Sequence, residues 1–437
     1  MTAQPLHNIK IFRFWLPLAL AWLMMAVEGP LLAALIARMP EALFNLAAYG
    51  VAYAFALIAE APVIMLLSAS TALCRGAESY RRLRRFTLAL SLGVTLLLLL
   101  LVLPGVFDFV GLYLLGLHPE VAGATRLAIL FLLPWPGAIG LRRFYQGVLI
   151  ADGRTRRVTM GTVLRMVSMA AAGLTLAASG GLPGAAAGSL ALSCGVVAEA
   201  LSIRRLASPS IQRLLQIDDV DQAPSFREIW KFYLPLALTP FIALSIQPLI
   251  VFFLGRGMDP LQSLAVLPVL YGLTFVFRAL GLSYQEVSIS LLGDRLENRL
   301  ALGRFAGGLA VAVGACLGLI AATPLAVIWL RDISGLSEEL VRFARLPLLL
   351  MVPMPVLTVG LTWQRSLLVK VRKTGPVSTA TAIEAAAICG LMAVLIAWIP
   401  LPGMVLAAIT LVVARLLAML YLIPYCRHIE QGLGEEL

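Results

Sequence analysis

Apolar runs of roughly 20 residues follow one another along the whole chain, separated by short polar breaks that carry arginine. The pattern predicts about twelve membrane-spanning helices. In the first half they fall near 11–38, 43–70, 86–106, 122–149, 158–179 and 184–203. In the second half they fall near 229–256, 262–291, 304–329, 340–369, 377–399 and 402–425. The first run is too long for the apolar core of a signal peptide and lacks a small-residue cleavage site, so it is expected to be the first span. Prolines stand inside several spans, at 17, 30, 62, 134 and 136 and again at 235, 248, 268, 353 and 355. A proline removes a backbone donor and bends the helix, and in lipid the freed carbonyls need partners. Bends are therefore expected near Pro30 and Pro248, at matching depths in the two halves.

The halves are copies. Ile11-Phe12-Arg13-Phe14-Trp15-Leu16-Pro17-Leu18-Ala19-Leu20 returns as Ile229-Trp230-Lys231-Phe232-Tyr233-Leu234-Pro235-Leu236-Ala237-Leu238, an offset of 218 (229 minus 11). Pro134-Trp135-Pro136 returns as Pro353-Met354-Pro355, an offset of 219 (353 minus 134). An even number of spans per half makes the repeats parallel, related by an axis along the membrane normal, as in transporters assembled from two halves. The expected organisation is a six-helix lobe over 1–205, a linker over 206–226 holding Asp218, Asp219 and Asp221, and a second six-helix lobe over 227–437.

Composition agrees: 60% of residues are apolar and 13% are charged, against about 25% charged in soluble domains. The net charge of +11 does not indicate nucleic acid, because most arginines lie in short loops between spans. Arg81, Arg82, Arg84, Arg85, Arg154, Arg156, Arg157, Arg204, Arg205, Arg213, Arg295, Arg299, Lys370, Arg372 and Lys373 gather on one side. That side is expected to be cytoplasmic, with both termini inside, in a plasma (inner) membrane. The five cysteines are scattered without a metal-ligand or disulfide spacing. No metal or cofactor is expected, and the expected form is a monomer in the lipid bilayer.

Ionisable residues within spans are costly and mark function or pairing. Those expected to contact substrate are Arg278, Arg142, Arg143 and Arg365, with Gln146, Gln247, Gln285 and Tyr145 as polar partners. Guanidinium binds carboxylate or phosphate bidentately, so an anion is the expected ligand. Coupling or gating falls to Glu28, Glu60, Glu286, Arg165, Glu384 and Arg415. Glu60 and Arg278 are repeat-equivalent with opposite sign, as are Arg165 and Glu384; a pseudo-two-fold axis would bring such positions across a central cleft, either as an anion-binding face with gating carboxylates or as salt bridges between the halves. Enzyme chemistry is not expected. The three histidines and all aspartates lie in loops or tails, and no H-E-x-x-H, Walker A or G-x-S-x-G motif is present.

The segment Gln146-Gly147-Val148-Leu149-Ile150-Ala151-Asp152-Gly153 resembles the Q-G-x-L-x-x-x-G segment of the multidrug/oligosaccharidyl-lipid/polysaccharide flippase superfamily. Within it the chain is similar to the progressive ankylosis protein family. The likeness runs through Ala48–Tyr53, Ile246–Arg256, Ala265-Val266-Leu267 with Tyr271 and Glu286, and Val352–Val359. The resemblance implies a V-shaped fold of the multidrug-and-toxin-extrusion kind. It also implies export of a small anion such as citrate, pyrophosphate or a nucleotide. Gln247 stands where that family carries an arginine, which puts part of its anion site in question. Two alternatives are a proton-coupled antiporter of organic cations, using Glu28 and Glu60, and a flippase of a lipid-linked pyrophosphate.

Overall fold

The computed structural model describes residues 8–220, 223–293, 296–371 and 373–432. Helices dominate, because a backbone in lipid must satisfy its polar groups within each segment. In the first half they are α1 (Asn8–Ala37), α2 (Ala42–Glu60), α3 (Leu66–Leu73), α4 (Ala77–Val102), α5 (Pro104–Asp108), α6 (Pro119–Leu132), α7 (Pro134–Ala151), α8 (Thr155–Ser179) and α9 (Gly184–Leu214). In the second they are α10 (Phe226–Leu254), α11 (Pro260–Leu291), α12 (Arg299–Ala322), α13 (Leu325–Val327), α14 (Glu338–Leu350), α15 (Pro353–Lys370), α16 (Gly375–Trp398) and α17 (Gly403–Gly432). Among the described residues, 11 spans are long and apolar enough to cross a membrane, or 12 with the bent α10. The chain is thus an all-helical, multi-pass membrane protein.

Prolines break spans in two ways. The second expected span stops at Glu60 and resumes at Leu66, because Pro62 has no N–H to give. Its carbonyl accepts the Tyr233 hydroxyl, so this break is satisfied by a neighbouring helix. The spans expected at 122–149 and 340–369 each break ahead of a proline, at α6/α7 and α14/α15, where Pro134 and Pro353 open the second helix. α10 bends by 43° between Phe226–Leu238 and Pro240–Leu254, at Pro240, ahead of the expected Pro248.

The duplication extends to backbone detail. Phe109–Leu114 and Ile328–Ile333 are both π-helical and begin 219 residues apart. Glu41 and Asp259 both take positive φ, 52° and 50°, just ahead of α2 and α11. Gly116 and Gly335, at φ 66° and 77°, turn the chain after each π segment. The N-terminus of α9 is met by Asn45, whose Oδ1 accepts from Ala185 N at 2.9 Å. The equivalent α17 is met by Ser263, whose Oγ accepts from Met404 N at 3.1 Å.

Two compact units form. One joins the chain up to Ala34 with Gly257–Leu437, and the other is Leu35–Arg256. Most of α1 thus groups with α11–α17, and α10 groups with α2–α9. In the first unit, Trp15 donates its indole N–H to Ser283 Oγ at 2.9 Å and meets Phe305 edge-on. In the second, Phe86 packs against Trp230 and Tyr233. First spans are close copies, so the same aromatic face serves both.

Within the stretch 206–226, α9 continues to Leu214. Beyond it the chain docks on α4. The Asp219 carboxylate accepts from Glu78 N at 2.8 Å and from Ser79 N, and Ala77 N donates to Ile217 O at 2.9 Å. Gly76 precedes α4 and has no side chain to cap it, and a Cβ there would meet Asp219 Cγ at 2.5 Å. Burial pushes the Asp219 carboxyl up, but the hydrogen bonds from Ser79 and Glu78 outweigh it and hold the group below its ordinary value.

Candidate functional site

In the unit Leu35–Arg256, the charged interior is organised around Glu199 on α9, which is fully buried. Arg142 on α7 donates to its Oε2 at 2.6 Å, and Arg165 on α8 lies 3.8 Å from the same oxygen. Gln146, one turn after Arg142, donates to Oε1 at 3.2 Å, and Thr162 donates to it at 3.4 Å. Arg165 also sits over the Trp135 ring at 5.7 Å. The α7 spacing of four residues puts Arg142 and Gln146 on one face, so a single carboxylate collects both. Arg143 points elsewhere. It is half-buried and senses the charges of Glu60 and Glu199, yet among the described residues it makes no hydrogen bond and no ion pair. Tyr145 is buried and interacts with Tyr80 of α4.

The other unit repeats this with the signs exchanged. Arg415 on α17 donates its Nε to Glu384 Oε1 on α16 at 2.6 Å and its Nη1 to Thr358 on α15 at 3.1 Å. Arg365 on α15 donates to Thr381 at 3.1 Å, so it is anchored to α16. Arg278 on α11 is half-buried beside Tyr271 and within reach of the fields of Arg415 and Glu384. Like Arg143, it makes no hydrogen bond and no ion pair among the described residues. Three guanidiniums thus share Glu384, as three share Glu199 and Glu60 in the other unit. Glu28 is buried on α1, next to the close approach of Gly29 and Pro30 to Gly272.

The structure sorts the residues expected from the sequence. Arg165 and Glu384 each have a partner on the next span of their own unit, Glu199 and Arg415 respectively. Connectivity explains this: α8 with α9, and α16 with α17, are antiparallel hairpins whose faces already touch. The four arginines expected to act together divide between the units, Arg142 and Arg143 in one and Arg278 and Arg365 in the other. Gln247 belongs with Arg142 and Arg143, and Gln285 with Arg278. Glu286 is exposed on α11. Glu199 was the residue to add to the expected site, and its signal was plain: a carboxylate inside a span needs a cation. Thr358 and Thr381 gave no such signal, because threonine in a span usually bonds its own helix. Among the described residues, no group of three histidines, cysteines or carboxylates could hold a metal.

No protein-family model matches this sequence. No curated protein matches it either. Solved structures do. An inward-facing multidrug resistance MATE family transporter of the MOP superfamily superposes with TM-score 0.70 at 17% identity, over 94% of this chain and 96% of that one. The lipid II flippase MurJ, in an inward closed conformation, superposes with TM-score 0.70 at 14% identity, over 94% of this chain and 87% of that one. A MOP superfamily transporter from Pyrococcus furiosus, described as having a binding pocket of reversed polarity, gives TM-score 0.65 at 15% identity, over 96% of each chain. The chain has the fold that these MOP superfamily proteins share.

Proposed function

We propose that this chain is a secondary transporter that moves a small organic or phosphorylated anion across the membrane by alternating access. The observation that carries the proposal is the pair Arg143 and Arg278. Arg143 in one unit and Arg278 in the other are half-buried guanidiniums that make no hydrogen bond and no ion pair among the described residues. A cation left uncompensated in a span is costly, and a carboxylate or phosphate is the species that would relieve it, through paired N–H donors. The fold supports a membrane carrier, since the proteins sharing it are a drug transporter and a flippase. The stretches similar to the progressive ankylosis family favour citrate, pyrophosphate or a nucleotide over an organic cation. Glu28, buried beside the α1–α11 contact, is the carboxylate proposed for proton coupling.

The test is flux in liposomes. Purified protein is reconstituted, and uptake of labelled citrate, pyrophosphate and ATP is followed with and without a pH gradient. Movement of one anion, reduced at least tenfold in Arg278→Gln and partly retained in Arg278→Lys, supports the proposal. Movement of an organic cation instead, with the arginine variants unaffected, sinks it. Translocation of a fluorescent lipid pyrophosphate without any soluble anion would keep the anionic head group and replace the carrier by a flippase.

A further inference from the structure

Away from these interiors, the start of α8 forms a basic hollow that anion transport does not use. A cavity of about 400 Å3 is lined by Gly153, Arg154, Arg156, Arg157 and Met160. Asp152 offers a carboxylate nearby, but it is shared: Arg154 Nε and Arg213 Nη1 each lie 3.0 Å from it, and Ser210 Oγ donates to it at 2.6 Å. Arg157 is held by the Leu206 carbonyl, which fixes its place without neutralising it. Arg156 is exposed and makes no ion pair among the described residues. The hollow therefore carries an uncompensated positive charge.

Its apolar wall has a continuation. Met160 is 55% exposed, and from it an exposed stripe runs along α8 through Val163, Leu164 and Val167 to Leu174, at helical spacing. Such a face in a spanning helix meets acyl chains. Guanidiniums at the end of an acyl-chain track match a lipid whose head group is a phosphate with net negative charge. We propose that α8 and the hollow at its start bind an anionic phospholipid, with the phosphate among Arg154, Arg156 and Arg157 and a chain along the Met160–Leu174 stripe.

The test uses the full-length protein, delipidated in detergent and titrated with phosphatidylglycerol. Native mass spectrometry counts the retained lipid. Phosphatidylglycerol is expected to be retained in preference to phosphatidylcholine, and retention is expected to weaken roughly tenfold in Arg154→Gln/Arg156→Gln. The single variant Arg156→Gln, at an exposed position, should show the same direction with the fold undisturbed. Arg299→Gln/Arg304→Gln, on α12, removes the same charge elsewhere and should leave retention unchanged. Equal losses in the two double variants would reduce the effect to net charge and overturn the site. So would equal retention of phosphatidylcholine. Displacement by inorganic phosphate alone, at the concentration at which the lipid binds, would assign the hollow to a soluble anion instead.

Discussion

At the scale of single residues, Glu199 and Asp219 show how differently one carboxylate can be used. Glu199 is fully buried and serves Arg142, Arg165, Gln146 and Thr162 together. Glu199→Gln removes the carboxylate that Arg142 and Arg165 approach, and breaking a buried pair from one side costs about 3–5 kcal/mol. The expected outcome is a marked drop in the thermal unfolding temperature in detergent, partly restored in Glu199→Gln/Arg165→Gln. Asp219 works at the aqueous edge, closing the first turn of α4 from 140 residues away in the chain. Because its folded carboxyl lies below the ordinary value, its contribution is complete above the unfolded value near 4 and is lost as pH falls through the lower, folded value. Hydrogen exchange at the Glu78 and Ser79 amides should therefore accelerate only in acid. Asp219→Asn keeps an acceptor oxygen but no charge, so its protection should stay flat over that window. Asp219→Ala should cost about 1 kcal/mol at every pH where the native carboxylate is charged.

At the scale of elements, the spans were legible because a membrane helix declares itself by length and apolarity alone, whatever it packs against. The same logic located Pro134 and Pro353 but not what they do. Proline was expected to bend a continuous helix, whereas at these sites it opens a new one, a position where its missing N–H costs nothing. Caps were not legible. Asn45 and Ser263 are unremarkable polar residues near the start of α2 and α11, and the helix ends they meet, α9 and α17, lie 140 and 141 residues further on. No local pattern connects them, and their common role emerges only when the two copies are compared. Asn45 also bonds the Pro40 and Glu41 carbonyls, so it ties the turn before α2 to α9. Asn45→Ala should accordingly cost about 1–2 kcal/mol and raise exchange at the Ala185 amide. Ser263→Ala, which removes one acceptor, should cost about 1 kcal/mol and act at Met404. Equal and global losses for both variants would mean that the contacts do not cap locally. The grouping of α1 with the second half was invisible for a related reason: near-identical first spans carry the same packing face, so sequence does not say which half each one joins.

At the scale of the molecule, the tandem copies carry reversed ion pairs. Glu199 on α9 faces Arg165 on α8, and Arg415 on α17 faces Glu384 on α16. Outside these pairs, Arg143 in one unit feels the charges of Glu60 and Glu199, and Arg278 in the other that of Glu384, but neither makes an ion pair among the described residues. Stability and transport should then respond with opposite signs to superficially similar substitutions. Arg142→Gln strips Glu199 of its closest partner and should destabilise by about 3–5 kcal/mol. Arg278→Gln removes a charge that no ion pair among the described residues holds, so it should be neutral or stabilise by about 1 kcal/mol, as residues kept for function at the expense of stability do. The check is to measure unfolding in detergent and anion flux in liposomes on the same preparations. A variant that unfolds later yet transports at least tenfold less would identify Arg278 as a residue retained for its ligand. Added anion should raise the unfolding temperature of the wild-type protein and leave that of Arg278→Gln where it was, since binding to the folded state alone stabilises it. If Arg278→Gln instead unfolds as early as Arg142→Gln, its guanidinium is a structural partner, and the anion must be held by other groups.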